Sequence, residues 1–123
     1  MILDTSVVLC IIQREPGWQQ HSRNLQSAEY LLISAGTLQE LLMVAHCRNV
    51  LAAVEALLEV LDPDVVPVDA MLARRALEIY QRFGKGQGHG AQLNFGDCFA
   101  AALACERCLP LAYQGNDFAA AGY

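Results

Sequence analysis

The sequence contains no apolar run long enough to cross a membrane. Its longest, Cys98 to Cys105, has eight residues, whereas a spanning helix needs ~20. A basic leader is also missing, and Asp4 interrupts the first apolar stretch, so no signal peptide is expected. Positive charge is scarce. Eight Lys and Arg stand against thirteen Asp and Glu, a net charge of −5, which argues against binding phosphates by bulk electrostatics. Charged residues of either sign make up only 17% while 54% are hydrophobic, a balance that excludes intrinsic disorder. The five cysteines are odd in number and scattered. A chain of 123 residues buries a core without covalent staples, so they read as reduced thiols in a cytoplasmic protein. Repeats, linkers and low-complexity blocks are absent, and the length suits one domain over residues 1–123.

Several chemical signatures are incomplete. Cys105-Glu106-Arg107-Cys108 has no second ligand pair and reads as buried thiols. Gly84-Lys85-Gly86 lacks the Ser or Thr of a phosphate loop. The spacing of Gly86, Gly88 and Ala91 follows a helix instead of a strand, so segment 84–92 reads as a mobile loop beside a groove. No Gly-x-Ser-x-Gly elbow is present, and His21, His46 and His89 share no metal spacing.

What remains is an alternation of short apolar strands and helices. Strands are expected at Met1–Leu3, Tyr30–Ile33, Val65–Val68 and Leu109–Tyr113. Helices are expected at Val7–Ile12 behind a Ser6 cap, at Trp18–Ser27, after Ser34, at Val50–Leu61, after an Asp69 cap, at Gly96–Arg107 and near Gly115–Phe118. Pro67 places the third strand at an edge or strand end. The pattern implies an α/β fold with a central parallel sheet of about four strands and helices on both faces. Ligands in such folds collect beyond the carboxyl ends of the strands.

Four acids fall near that edge. Asp4 ends the first strand, Glu40 lies early in the helix after the second, Asp97 opens the long last helix, and Asp117 follows the fourth strand. Carboxylates that converge repel one another unless a cation compensates. Hard ions such as Mg²⁺ or Mn²⁺ take such oxygen ligands, activate water and stabilise an in-line phosphoryl displacement. Setting these four acids aside takes the net charge from −5 to −1. Arg14, Arg23, Arg48, Arg74, Arg75, Arg82 and Lys85 are then candidates to contact a phosphate backbone, although most read as solvated helix faces.

The stretches MILDTS, ISAGTLQE, FGKG followed by LNFGDCFAAALA, and LPLAYQGNDF resemble, in order and over essentially the whole chain, the PIN-domain ribonuclease toxins of VapC type. The resemblance implies a Rossmann-like PIN domain and an endoribonuclease using Mg²⁺ or Mn²⁺. It also implies a cognate VapB-like antitoxin that masks the site, and a homodimer. It maps the catalytic and metal-holding acids onto Asp4, Glu40, Asp97 and Asp117, with Thr5, Ser6 and Asn116 in support. Where relatives often carry another acid, this chain has Asn116, and the tail Ala119–Tyr123 departs from the family's further strand. Two other readings are an acidic-site Mg²⁺ phosphohydrolase, which Asp4-Thr5-Ser6 does not match, and a non-catalytic PIN-like binding module.

Overall fold

Neighbouring residues of a strand point to opposite sides, and the first two apolar residues after Met1 show the consequence. Ile2 and Leu3 are both fully buried, but they belong to different cores. The computed structural model describes residues 1–123. Its elements are β1 (Ile2–Leu3), α1 (Thr5–Ile12), α2 (Trp18–Ser27), β2 (Leu32–Ser34), α3 (Ala35–Cys47), α4 (Leu51–Leu61), β3 (Asp64–Val66), α5 (Ala70–Phe83), α6 (Phe95–Arg107), β4 (Leu111–Ala112) and α7 (Asp117–Ala120). The sheet order is β3-β2-β1-β4, and every pair is parallel. On one face Ile2 packs with Leu72, Ile79, Leu93, Leu103 and Phe118; on the other Leu3 packs with Val7, Val8, Ile33, Leu41 and Val54. Burying both faces this way is what a parallel sheet requires.

Each strand is shorter than its apolar stretch. Prolines set two of the limits. Pro67 has no N–H to continue β3, which is the expected edge strand. Pro110 precedes β4 and contributes only its carbonyl, which accepts from the Ile2 N–H at 2.8 Å. Tyr30, expected in β2, is instead an exposed residue whose carbonyl accepts from the N-terminal amine.

Helix starts follow their caps. Ser34 and Asp69 cap α3 and α5 as expected. The cap of α1 is Asp4, whose carboxylate accepts from the Ser6 N–H, so the helix begins at Thr5 and contains Ser6. After α7 no strand follows. The chain turns so that the Tyr113 hydroxyl donates to the Tyr123 carbonyl, and Phe118 packs against both tyrosine rings.

Two expectations need correcting. Cys105 and Cys108 are exposed, not buried, because they lie at the outer end of α6; the Arg75 guanidinium donates to the Cys105 sulfur. Segment 84–92 is a closed loop pinned at its base, where Gly84 and Leu93 form a parallel bridge reinforced by the Lys85 N–H to Leu93 carbonyl bond. Its Lys85 borders an apolar cavity between α5 and α6 that meets the acidic one at Asn94.

Candidate functional site

Parallel strands deliver their following residues to a single edge. Asp4 arrives there from β1, α3 from β2 and Gln114 from β4. Asp97 comes by another route, on the first turn of α6 just after the bridged Leu93. Together they line a cavity of about 350 Å³. To it α1 with its cap and the turn after it contribute Asp4, Thr5, Ser6, Leu9 and Glu15, α3 with its cap contributes Glu40, Val44 and Arg48, the start of α6 contributes Asn94 and Asp97, and the segment after β4 contributes Gln114.

Asp4 is only 2% exposed. Its Oδ2 accepts from the Ser6 N–H at 2.9 Å and from the Ser6 hydroxyl at 2.5 Å. That hydroxyl in turn accepts from the Gln114 N–H at 2.9 Å, which commits its single proton to Asp4. Oδ1 of Asp4 is buried with no hydrogen-bond partner, as is the Thr5 hydroxyl. Ser6, more than Thr5, is therefore the side chain that holds Asp4 in place.

Asp97 sits in a capping box. Its Oδ2 accepts from the Asn94 N–H, and its own N–H donates to Asn94 Oδ1, both at 2.9 Å. The spacing of three residues is a helix-start signature already present in the sequence. Asp4 and Asp97 are thus helix caps as well as cavity walls.

Glu40 reaches the cavity through a pair of glycines. A Cβ on Gly96 of α6 would collide with the Glu40 carboxylate, and a Cβ on Gly36 of α3 would meet the Phe99 ring of α6 at 2.6 Å. Each helix offers the other a place without a side chain, so α3 and α6 approach closely at their first turns and Glu40 lies beside Asp97.

Asp117 and Asn116 do not line this cavity. Asp117 is the exposed first residue of α7 and Asn116 its cap. The charge of Asp117 nonetheless acts on Asp97. Sequence reasoning did not single out Glu15, Asn94 or Gln114. Only Asn94 had a local signal, the capping box; the other two arrive by tertiary packing.

Burial pushes the Asp4 carboxyl above its ordinary range, Glu40 adds repulsion, and the Ser6 and Thr5 hydrogen bonds oppose the shift. Asp97 is pushed up to about 6, first by burial and then by the charges of Asp4, Glu40 and Asp117, against the pull of the Asn94 N–H. Both shifts arise first from burial, and the neighbouring negative charges add to them, so a bound cation would lower both. No three His, Cys, Asp or Glu side chains form a ready-made cage. A Mg²⁺-like ion does not demand one, since it is usually held by one or two carboxylates with water completing the shell. The oxygen-only donors and the orphaned Asp4 Oδ1 fit such an ion.

Asp97 makes a prediction about stability. Its folded pKa of about 6 lies above the ordinary 3.8, so between those values the folded state holds the extra proton. Stability from this group is present at low pH, falls as pH rises through that window, and is lost above about 6. Halved for solvent screening, the penalty is about 1–2 kcal/mol. In EDTA this group should lower the melting temperature by several degrees between pH 5 and 7.5, and Mn²⁺ should restore it at pH 7.5. Calorimetry at the two pH values, compared with Asp97→Asn, isolates the contribution.

A family model described as PIN domain matches residues 1–122. Ribonuclease VapC28 of Mycobacterium tuberculosis is 37% identical over 125 residues, covering 99% of this chain and 94% of the relative. Among solved structures, Mycobacterium tuberculosis VapC20, described as a sarcin–ricin loop cleaving toxin, superposes with a TM-score of 0.77 at 20% identity, covering 99% and 95% of the two chains. A chain of a toxin–antitoxin complex from Klebsiella pneumoniae gives 0.70 at 18% identity, covering 96% and 89%. At those identities the structures show likeness of fold.

Proposed function

The chain belongs to the PIN-domain family, among the VapC ribonucleases, and from that premise we propose that it is the toxin of a type II toxin–antitoxin pair. It cuts RNA in the cytoplasm at the cavity between α1, α3 and α6, using Mg²⁺ or Mn²⁺. The observation that carries this is the buried, unpartnered Oδ1 of Asp4 in a cavity shared with Glu40 and Asp97.

The chain's own residues divide the work. Ser6 holds Asp4 Oδ2, so Oδ1 stays available to a cation. The Asn94 capping box fixes Asp97 on a rigid helix start. Glu40 supplies a third carboxylate, and Asp117 adds negative charge from the rim. Asp4, Glu40 and Asp97 would hold a divalent cation there, which would supply a polarised water and offset charge on the phosphodiester.

The test uses the full chain and single-stranded RNA with Mg²⁺, Mn²⁺ or EDTA. Cleavage to 5′-phosphate and 3′-hydroxyl ends is expected with either metal and none in EDTA. Undiminished cutting in EDTA overturns the metal chemistry.

Two surfaces suit the partners. Phe95 and Leu77 are 79% and 55% exposed where they line the apolar cavity of α5 and α6, and a second copy of the chain is the occupant that we propose. Asn94 lines both that cavity and the acidic one, so a dimer would border the site. The groove between α3 and α4 has Leu38, Leu42 and Ala56 as floor and Glu55, Glu59 and Asp62 as rim. It suits a basic amphipathic helix of the antitoxin.

A further inference from the structure

The acidic cavity does not end at its carboxylates. Along α3 its wall continues from Glu40 through Val44 to the capping residue Arg48, and along α1 from Ser6 through Leu9 to Glu15 in the turn that follows. Glu40, Val44 and Arg48 are spaced four apart and share one side of the helix. At 1.5 Å rise per residue that stripe is about 12 Å long. The trough has three zones: oxygen ligands at one end, the apolar Leu9 and Val44 in the middle, and a guanidinium at the other end.

Seven cations were open to phosphate contact on sequence alone, and Arg48 is the one that lines this trough. Lys85 borders the apolar cavity, Arg74 is exposed on α5, Arg23 bonds Gln20, Arg75 donates to Cys105, and Arg14 and Arg82 lie over the rings of Trp18 and Phe83. Arg48 is also held. Its Nη1 donates to Gln13 Oε1 at 2.6 Å, which leaves most of the guanidinium's five N–H donors free. Glu15 in the same lining repels phosphate, so Arg48 is the sole attractive group at that end.

We propose that Arg48 binds a backbone phosphate neighbouring the scissile one, with Leu9 and Val44 beneath the sugar or base between them. The inference rests on the ribonuclease reading and deepens it: the substrate enters as an extended single strand laid along α3. A guanidinium suits this role because its planar fork takes two phosphate oxygens at once.

The experiment measures cleavage of single-stranded RNA oligonucleotides, shortened one nucleotide at a time from either end, by wild type, Arg48→Ala and Arg48→Lys in Mn²⁺. Arg48 is exposed at the end of α3, and melting curves check that each variant is folded. Arg48→Ala should raise KM about five- to tenfold on long substrates while kcat stays within about twofold. The difference should vanish once truncation from one particular end removes the phosphate that Arg48 holds. The salt dependence of binding should become shallower by about one charge. Arg48→Lys should keep the wild-type salt slope and recover part of the affinity. Unchanged KM and salt slope at every length, or an equal loss of kcat at every length, overturns the assignment. Wild type that leaves all the oligonucleotides intact overturns the ribonuclease reading and this inference with it, whereas intact wild-type cleavage with an indifferent Arg48→Ala overturns this inference alone.

Discussion

Asp4→Asn should remove RNA cleavage and leave the fold at least as stable in the absence of metal. The two outcomes come from the two oxygens of one side chain. Oδ2 caps α1 by accepting from Ser6, and asparagine is as good an N-cap as aspartate, so the helix start survives. Oδ1 is a buried atom with no partner, on a carboxyl that burial already pushes toward its neutral form. The substitution replaces a buried charge with a neutral amide, which removes a desolvation cost. Repulsion with Glu40 goes as well. The cavity then lacks the ligand best placed for a cation. Removing even a supporting group around a metal typically costs ~10–100-fold, so losing a direct ligand should exceed that range. Cleavage rates and melting curves with and without Mn²⁺ test both halves. Wild type should gain stability on adding metal, and the variant should gain little. A variant that still cuts at wild-type rate would remove Asp4 from the site, and one that melts far below wild type in EDTA would mean that its charge is structural.

The parallel sheet was legible because alternation of short apolar runs with helical periods leaves few other folds. Asp4 and Asp97 were legible for a related reason: an acid that ends an apolar strand or starts a helix has a definite position along the sheet edge. A role at a helix start does not take either carboxylate out of the cavity, since both hydrogen-bond at helix starts and line its wall. The parts of Thr5 and Ser6 could not be told apart locally, because the bond that commits the Ser6 hydroxyl comes from Gln114, 108 residues away. Arg48 was indistinguishable from six other cations for the same reason: only the packing of α1 against α3 selects it. Asp117 lies at the expected strand end, but its side chain stands outside the cavity lining because α7 begins there and carries it to the surface. Glu40 carried no local signal beyond its place early in a helix, and its position depends on a residue 56 positions later.

That residue, Gly96, yields the second large effect. Gly96→Ala should leave a folded protein with about ten- to a hundredfold less cleavage activity. The added Cβ occupies the space of the Glu40 carboxylate. The obstructing atoms are the end of a flexible side chain, so Glu40 can swing away at little cost. Alanine in the first turn of α6 also recovers up to about 1 kcal/mol of helix propensity. Stability should therefore stay within a few degrees of wild type while the site loses a carboxylate and with it part of its hold on Mn²⁺. Gly36→Ala makes the opposite pairing. Its Cβ meets the Phe99 ring at 2.6 Å, a group packed between helices, and such overpacking costs about 1–3 kcal/mol. Its melting temperature should fall even without metal. Glu40→Gln supplies the control: if Gly96→Ala acts by displacing Glu40, the double variant should be no less active than the worse single one. Additive losses would instead mean that the added methyl damages α6 itself, and that the close approach of the two helices serves packing alone.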